Sequence, residues 1–464
     1  MHRRDTSTEV LTQAIVRYAV DRVRSTPPLD GPRPEAELRK MAGRTITEDG
    51  IGGLEALRIF EEVLAPACIS VDHPRFLSFV PAAPTEAAVL FDLVVGASSV
   101  CAVSWLEAAG AIHAENETLR WLARTADLPQ GAGGTFVSGG TSGNLSALVA
   151  ARWRWRNEAE GRRDHTRGVV LASEGTHSSI AQTARVMDAD LLTVPVDERD
   201  RLTAPALRRV LDGLDAEDRA RAFAVVATAG TTNAGVVDDL AGLAEIVEET
   251  GLWFHVDAAY GGAGLIAPSA RPRFAGIERA DSFIVDPHKW LFAPFDACAL
   301  VYRQPEIARA AHTQHADYLE VLHAHGAEAE PWNPSDYAHH LSRRARGLPL
   351  WFSLATHGVA AYREAVETTL TTTRRAAELI DAAAHTELVL QPELSVVLFR
   401  RLGWDAEDLR RWSDEQLAAG SAFVTPTAWR GEPVLRICIV NPQTTADDIA
   451  AILDTLAGGP SEAP

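Results

Sequence analysis

Lysine is almost absent from this chain of 464 residues. Of its 44 Lys and Arg residues, only Lys40 and Lys289 are lysine. Arginine stays charged, whereas a lysine amine can lose its proton and act as a nucleophile. Lys289 is therefore a candidate nucleophile. Lys40 lies in the polar, helix-like stretch PRPEAELRKMAGR and is expected to be a surface charge.

Cysteine pairs, long apolar runs and an excess of positive charge are also missing. No apolar run could span a bilayer and no secretory signal follows the basic start, so we expect no membrane partner and a cytoplasmic location. The net charge of −19 disfavours nucleic acid as a partner. The cysteines form no CxxC pair and have no metal-ligand spacing, so we expect no metal site and reduced, half-buried thiols at Cys68, Cys101, Cys298 and Cys438.

Short apolar strands alternate with helix-like segments from residue 134 onward. The strand candidates contain TFVS, GVVLA, LLTVPV, AFAVVAT, WFHVD, SFIVD and ACALVY. This alternation predicts an α/β fold whose mostly parallel sheet is covered by helices on both faces. Helix-like stretches at residues 8–24 and 53–65 predict an N-terminal helical arm. We expect the arm to span residues 1–78, a large domain 79–350, and a small C-terminal α+β domain 351–464.

A glycine-rich turn follows the strand TFVS and precedes a helix. It consists of Gly139, Gly140, Thr141, Ser142 and Gly143, followed by Asn144. Glycines let the backbone approach an anion, and a helix N-terminus supplies free N–H groups, so the turn could bind a phosphate. It could equally be an ordinary helix entry capped by Asn or Ser. The pattern matches neither GxxxxGK[ST] nor GxGxxG, which argues against ordinary nucleotide folds.

Two later strands also end in polar residues. Asp257 closes WFHVD, and His288 and Lys289 follow SFIVD. The ligand crevice of a parallel sheet lies beyond the carboxyl ends of its strands. Asp257 could pair there with a protonated pyridine nitrogen, or it could cap the next turn. A phosphate cradle, an acid and an amine, each at a strand end, together predict one site.

Five separated segments resemble a known family in the same order. They are GTFVSGGTSGNLSALVAAR, EGTHSS, ATAGTTNAG, HVDAAYGG and DPHKWLFAPFDACALVYR. Together they resemble the group II pyridoxal-phosphate decarboxylases, which include the aromatic-L-amino-acid and glutamate decarboxylases. The resemblance implies the aspartate aminotransferase-like fold type I with a seven-stranded sheet. It also implies the cofactor pyridoxal 5'-phosphate, decarboxylation of an L-amino acid to an amine, and a homodimer with the site near its interface.

The resemblance also implies roles for individual residues. Those expected to contact the cofactor are Gly140, Thr141 and Ser142 at the phosphate, His177 stacked on the ring, Asp257 at the pyridine nitrogen, Thr228, His288, and Lys289 as the covalent attachment point. Tyr318 matches a tyrosine on a mobile loop that protonates the substrate carbanion. A lid of this kind closes over substrate.

The chain departs from the family pattern at two places. Asp286 stands where some relatives carry Asn, so a direct contact of this side chain with the phosphate is not expected. Val71, Val80 and Val103 match positions at which animal aromatic decarboxylases have large aromatic residues. An apolar pocket of different shape predicts an aromatic or branched apolar substrate.

Two alternatives remain open at the level of sequence. The first is an oxidative decarboxylase or aldehyde synthase on the same scaffold. The presence of both Tyr318 and His177 favours simple decarboxylation over this alternative. The second is a non-catalytic module that only binds the cofactor. It predicts a degraded site, whereas Lys289 and Asp257 are both in place.

Overall fold

The computed structural model describes residues 5–158, 167–323 and 332–458. Five helices precede the first strand: α1 Thr6–Arg24, α2 Glu35–Ala42, α3 Gly53–Ile59, α4 Glu86–Ser98 and α5 Trp105–Thr125. A π-helical turn, Phe60–Leu64, and a 3-10 turn, Ala65–Ala67, continue α3. Helix α1 has no buried residue, and Lys40 is exposed on α2. The helices predicted at residues 8–24 and 53–65 correspond to α1 and to α3 with its π-helical turn.

Strands and helices then alternate through the middle of the chain. The strands are β1 Gly133–Val137, β2 Val169–Ser173, β3 Asp190–Val194, β4 Ala222–Thr228, β5 Trp253–Asp257, β6 Ser282–Val285 and β7 Cys298–Tyr302. The helices are α6 Gly140–Glu158, α7 Ser178–Val186, α8 Ala204–Gly213, α9 Ala216–Arg221, α10 Leu240–Thr250, α11 Pro287–Trp290 and α12 Pro305–His312. Short 3-10 helices lie at Gly261–Ile266, Arg271–Phe274, Ile277–Arg279, Asp317–His323 and Pro334–Asp336.

The seven strands form one sheet in the order β1-β7-β6-β5-β4-β2-β3. β7 runs antiparallel to both β1 and β6, and the pairs among β2 to β6 are parallel. Both faces of the sheet are covered. Val225 and Ala227 of β4 pack into one core, and Ala224 and Val226 pack into the other. Burial on both faces explains why these strands read as continuous apolar runs, and the mostly parallel seven-stranded sheet is confirmed.

The rest of the chain forms a smaller sheet with flanking helices. Its elements are α13 Leu348–Ala382, β8 Thr386–Leu388, β9 Val396–Arg401, α14 Ala406–Ala418, β10 Pro426–Trp429, β11 Glu432–Cys438 and α15 Ala446–Thr455. The four strands are antiparallel in the order β10-β11-β9-β8. The long helix α13 changes direction at Gly358, where φ is 77°. The domain boundaries expected at residues 78 and 350 stay predictions.

The cysteines differ from the expectation of half-buried thiols. All four are unpaired, but Cys298 and Cys438 are fully buried whereas Cys68 and Cys101 are exposed. The reason is their placement, because the buried pair lies on strands β7 and β11 and the exposed pair lies outside the sheets. Among the described residues, no helix is long and apolar enough to cross a membrane. The cytoplasmic location stays a prediction.

Candidate active site

A cavity of about 290 Å³ opens at the carboxyl ends of the sheet strands. The parallel register places Thr228 of β4 beside Asp257 of β5, and Asp286 follows the last residue of neighbouring β6. The sheet therefore brings residues from distant parts of the chain to one edge. The residues named from the sequence that line this cavity are Gly139, Gly140, Thr141, Asn144, His177, Thr228, Asp257, Asp286, His288 and Lys289. Ser142, the third predicted phosphate contact, is not among the lining residues.

The glycine-rich turn forms one wall of the cavity. Open space lies beside Gly139, whereas a Cβ on Gly140 would come within 3.1 Å of Asp286 Oδ2 and 3.4 Å of Ala259 Cβ. Helix α6 begins at Gly140, so its first N–H groups have no carbonyl of a preceding helical turn. The Ser142 hydroxyl lies 3.1 Å from that of Ser138, which also lines the cavity. The wall offers space and N–H donors to an anion.

Asp257 faces the cavity from the end of β5 and is almost fully buried, with an exposed fraction of 5%. Its Oδ2 accepts a hydrogen bond from Asn144 Nδ2 at 2.9 Å. Its Oδ1 accepts one from the Ala259 backbone N–H at 3.1 Å. Both alternatives considered for this residue thus have a structural basis. One oxygen caps the following turn, and the carboxylate also borders the cavity.

Lys289 points its amine at a buried carboxylate. Lys289 Nζ lies 3.0 Å from Asp286 Oδ2, and the exposed fractions of the two side chains are 23% and 3%. Burial alone would lower the pKa of Lys289. The negative charge of Asp286, followed by that of Asp257, outweighs it and holds this pKa above its ordinary value. At neutral pH the Lys289 side chain is therefore an ammonium ion. It must lose a proton before it can attack an aldehyde.

Two histidines border the same space. His177 caps helix α7, because its Nδ1 accepts the Ser179 backbone N–H at 3.2 Å. His288 lies on α11 with Nδ1 2.7 Å from the Ala297 carbonyl oxygen. Burial lowers the pKa of His288. Sequence alone makes His177 only a turn residue, and its position at the cavity agrees with the role that the family resemblance implies.

The structure describes Tyr318 only in part. The backbone at Tyr318 belongs to the 3-10 helix Asp317–His323, but the Tyr318 side chain and residues 324–331 lie outside the described part of the chain.

The valines named from the sequence do not line the cavity. Val103 is buried with an exposed fraction of 5%, and Val80 packs against the hydrophobic core that contains Val225 and Ala227 of β4. Neither of them, nor Val71, is among the residues that line the cavity.

Sequence reasoning did not single out several other residues that line the cavity, Phe295 and Asp296 among them. The Phe295 ring is 53% exposed, and its centroid lies 4.7 Å from that of His288. Asp296 forms an ion pair with Arg346. Both follow Lys289 by only six and seven positions in the printed sequence. An aromatic residue so soon after the candidate nucleophile was the signal that could have indicated them.

The donor set fits pyridoxal phosphate. The turn at Gly140 and Thr141 offers donors to a phosphate, Asp257 offers a carboxylate to a ring nitrogen, and Lys289 offers an amine to an aldehyde. A mostly parallel seven-stranded sheet with its site at the strand ends is the layout of fold type I enzymes that use this cofactor. These features define a fold type I enzyme that uses pyridoxal phosphate.

The model of the family described as pyridoxal-dependent decarboxylase conserved domain matches residues 54–402. The aromatic-L-amino-acid decarboxylase of Bacillus atrophaeus is 30% identical over 90% of this chain and 87% of its own length. The L-2,4-diaminobutyrate decarboxylase of Rhizobium meliloti is 31% identical over 89% of this chain and 83% of its own. The chain belongs to the pyridoxal-dependent decarboxylase family.

Solved structures agree with this assignment at the level of the fold. A structure of Oryza sativa TDC with PLP and tryptamine has a TM-score of 0.89 at 23% identity, over 98% of this chain and 99% of that one. The protein is thus an amino acid carboxy-lyase that depends on pyridoxal phosphate. The fold, cofactor and reaction type expected from the sequence are confirmed.

Proposed function

We propose that this enzyme decarboxylates an aromatic L-amino acid to the corresponding amine. The observation that carries the proposal is the half-exposed Phe295 ring, which lines the cavity beside His288. An exposed aromatic ring at a cavity wall can pack against an aromatic side chain of a substrate. The similarity to an aromatic-L-amino-acid decarboxylase supports the same substrate class.

The proposed cofactor contacts follow the geometry of the cavity. Gly140 and Thr141, with Ser142 beside them, would bind the phosphate, and His177 would cover one face of the ring. Asp257 holds a proton on the ring nitrogen, because its carboxylate is buried and borders the cavity. Lys289 supplies the amine for covalent attachment, with Thr228 and His288 as neighbours. Pyridoxal phosphate, when bound, supplies an electron sink for the carbanion that forms at Cα on loss of carbon dioxide.

Tyr318 is proposed as the residue that returns a proton to Cα. It lies on a short helix that precedes residues 324–331, at the position that matches the lid tyrosine of the family. A general acid in this role typically contributes about 10²- to 10⁴-fold. Tyr318→Phe should reduce amine formation by a factor in this range. In the presence of dioxygen as oxidant and of water, the carbanion should then be diverted to aldehyde, ammonia and hydrogen peroxide.

A second substrate class deserves a test because Asp296 also lines the cavity. A carboxylate at this place could bind the cationic side chain of diaminobutyrate, the substrate named in a similar decarboxylase. Asp296 is, however, paired with the Arg346 guanidinium. The pair reduces the attraction that this carboxylate could offer a cation, so the aromatic substrate is favoured.

The working unit is proposed to be a homodimer assembled through the arm at residues 1–78. Apolar side chains of the arm that are exposed in the single chain support this assembly: Val10, Ile15, Val16, Leu54, Phe60 and Leu64. Apolar surface of this extent on one segment is typical of an interface. Small-angle scattering and sizing chromatography measure the assembly. A fully active monomer would contradict this part of the proposal.

The deciding experiment compares substrates on the purified holoenzyme. L-Tryptophan, L-tyrosine, L-phenylalanine, L-leucine, L-glutamate and L-2,4-diaminobutyrate are scored for amine, carbon dioxide, aldehyde and peroxide. We expect amine from the aromatic substrates with the highest kcat/KM. A preference for diaminobutyrate overturns the substrate class, and peroxide in proportion to carbon dioxide overturns the simple decarboxylase in favour of an aldehyde synthase.

A variant pair tests the role of Phe295. Phe295→Ala should lower kcat/KM for the aromatic substrates at least 10-fold relative to L-leucine, because it removes both the ring contact and its buried area. Trp153→Ala removes a partly exposed ring remote from the cavity and serves as the matched control. Equal losses for aromatic and aliphatic substrates in Phe295→Ala would show that the ring does not select the substrate.

A further inference from the structure

A buried chain of hydrogen bonds runs from the cavity wall, at Asn144, into the protein interior. Trp253 Nε1 donates to Ser282 Oγ at 2.8 Å, and Ser282 Oγ lies 2.8 Å from His255 Nδ1. His255 Nε2 lies 2.8 Å from Asn144 Oδ1. The exposed fraction of each of these four side chains is 1% or less. The chain therefore lies entirely inside the protein.

Asn144 divides this chain into two branches that reach the cavity. Its Nδ2 donates to Asp257 Oδ2 at 2.9 Å and to Ser179 Oγ at 2.9 Å. Ser179 Oγ lies 2.9 Å from His177 Nδ1. One asparagine on α6 thus connects the acid at the end of β5 with the histidine that caps α7.

The direction of every bond in this network follows from its ends. A carboxylate only accepts, so the Asn144 atom that faces Asp257 must be the amide nitrogen. The amide oxygen then faces His255, which must carry a proton on Nε2. The indole of Trp253 only donates, so the Ser282 hydroxyl proton is directed to His255 Nδ1.

The position of the ring proton on His177 follows from its hydrogen-bond partners in the same way. Ser179 Oγ accepts from Asn144, so its own hydroxyl proton is directed to His177 Nδ1. His177 Nδ1 also accepts the Ser179 backbone N–H. A neutral His177 therefore carries its proton on Nε2.

His255 suits the role of a permanent donor. Burial lowers its pKa to about 4, although the charge of Asp257 and a hydrogen bond with the Ser282 backbone both act in the opposite direction. The imidazole therefore stays neutral through the physiological pH range, with one donor and one acceptor. A charged His255 would bring a second N–H to Ser282 and would remove the acceptor for the hydroxyl proton.

We propose that Asn144 is a positioning residue that sets the orientations of Asp257 and His177 together, and that His255 fixes Asn144 in turn. The proposal rests on the cofactor contacts proposed above for Asp257 and His177. It adds that these contacts are not independent. A change at one buried amide alters the acid and the stacking ring at the same time.

The first test uses the cofactor as a spectroscopic probe. Asn144→Ala removes both branches, and Asn144→Asp keeps the acceptor toward His255 but replaces the shared donor with a carboxylate beside Asp257. Loss of a hydrogen bond to a charged group predicts cofactor affinity about 10- to 100-fold lower for Asn144→Ala. The pH midpoint of the visible absorbance of the bound cofactor should move in both variants, as it should in Asp257→Ala.

Asn441→Ala is the matched control. Asn441 is also buried, and its side chain makes two hydrogen bonds where that of Asn144 makes three: one to the Asp72 carbonyl oxygen at 3.0 Å and one from the Gln443 N–H at 2.9 Å. Its loss should reduce stability without moving the absorbance midpoint. If Asn441→Ala and Asn144→Ala change the spectrum equally, the effect is general destabilisation and the proposal is wrong.

The second test does not require the cofactor or activity. NMR of the apoprotein with 15N-labelled histidine distinguishes a protonated ring nitrogen from a bare one. His255, identified by its loss in His255→Gln, should show Nε2–H and a bare Nδ1 that do not titrate between pH 6 and 8. A titrating His255 or the opposite tautomer overturns the network.

Asp257→Ala distinguishes a failure of the proposed cofactor contact from a failure of the positioning role of Asn144. If Asp257→Ala leaves the cofactor spectrum unchanged, the proposed cofactor contact of Asp257 fails. If Asp257→Ala changes the spectrum but both Asn144 variants do not, that contact stands and the positioning role of Asn144 fails.

Discussion

Replacing Asp286 with asparagine should move the pH at which Lys289, the proposed attachment point, binds the cofactor. Only a neutral amine attacks an aldehyde, and Asp286 stabilises the charged form of Lys289 from 3.0 Å. Without this carboxylate the pKa of Lys289 should fall, so the amine becomes neutral at lower pH. The midpoint of covalent attachment should therefore shift downward in Asp286→Asn.

The distance sets an upper limit on the shift. Two unit charges 3 Å apart attract by about 5.5 kcal/mol at an effective dielectric constant of about 20. At about 1.4 kcal/mol per pKa unit, this corresponds to about four units. The Lys289 side chain is 23% exposed, so water screens part of the attraction, and Asp257 continues to act on the amine. A downward shift of at least about one unit is expected.

The assay is stopped-flow absorbance of apoprotein mixed with cofactor from pH 6 to 10. Asp296→Asn is the matched control, because it removes another carboxylate from the same cavity, one that pairs with Arg346 instead of Lys289. The midpoint should move in Asp286→Asn and stay in Asp296→Asn. An unchanged midpoint in the first variant, or equal shifts in both, would refute the reasoning.

Three further predictions concern the proposed cofactor lysine, the buried Asp238 and the buried ion pair of Arg343 with Glu115. Borohydride reduction of the holoenzyme followed by peptide mapping should label Lys289 and not Lys40; label on Lys40 would refute the assignment. Burial raises the pKa of Asp238 to about 7. Its contribution to stability should therefore fall as the pH rises from about 4 to 7, and urea titrations should show a flatter pH dependence for Asp238→Asn. Arg343→Met should lower the free energy of unfolding by about 3–5 kcal/mol, because it leaves Glu115, 2.8 Å away, as a buried charge without this partner. A loss under about 1 kcal/mol would contradict this expectation.

The sheet and the strand-end residues were predictable because their signals are local. Each buried strand is a short apolar run, and Asp257 and Lys289 follow such runs directly. The rarity of lysine singled out Lys289 even without a family resemblance. The residues that follow a strand in a parallel sheet must meet at one edge, so local reading was enough to group them.

The hydrogen-bond network through Asn144 and His255 was harder to predict from the sequence. Asn144 and His255 are 111 positions apart, and only the packing of α6 on the sheet brings them into contact. One signal did exist, since His255 precedes Asp257 by two residues and so points to the same face of β5. The positions of Val71, Val80 and Val103 depend on how the segments before β1 pack, and alignment with relatives does not fix that packing.

The two lysines of this chain differ as sharply in accessibility as they do in surroundings. Lys40 is exposed on α2, whereas Lys289 is half-buried at the cavity and held by Asp286. With the cofactor attached to Lys289, an amine-selective reagent has a single side chain left to modify. Once the terminal α-amine is blocked, the holoenzyme could therefore carry a dye or be coupled to a solid support at one defined point of each chain, on helix α2.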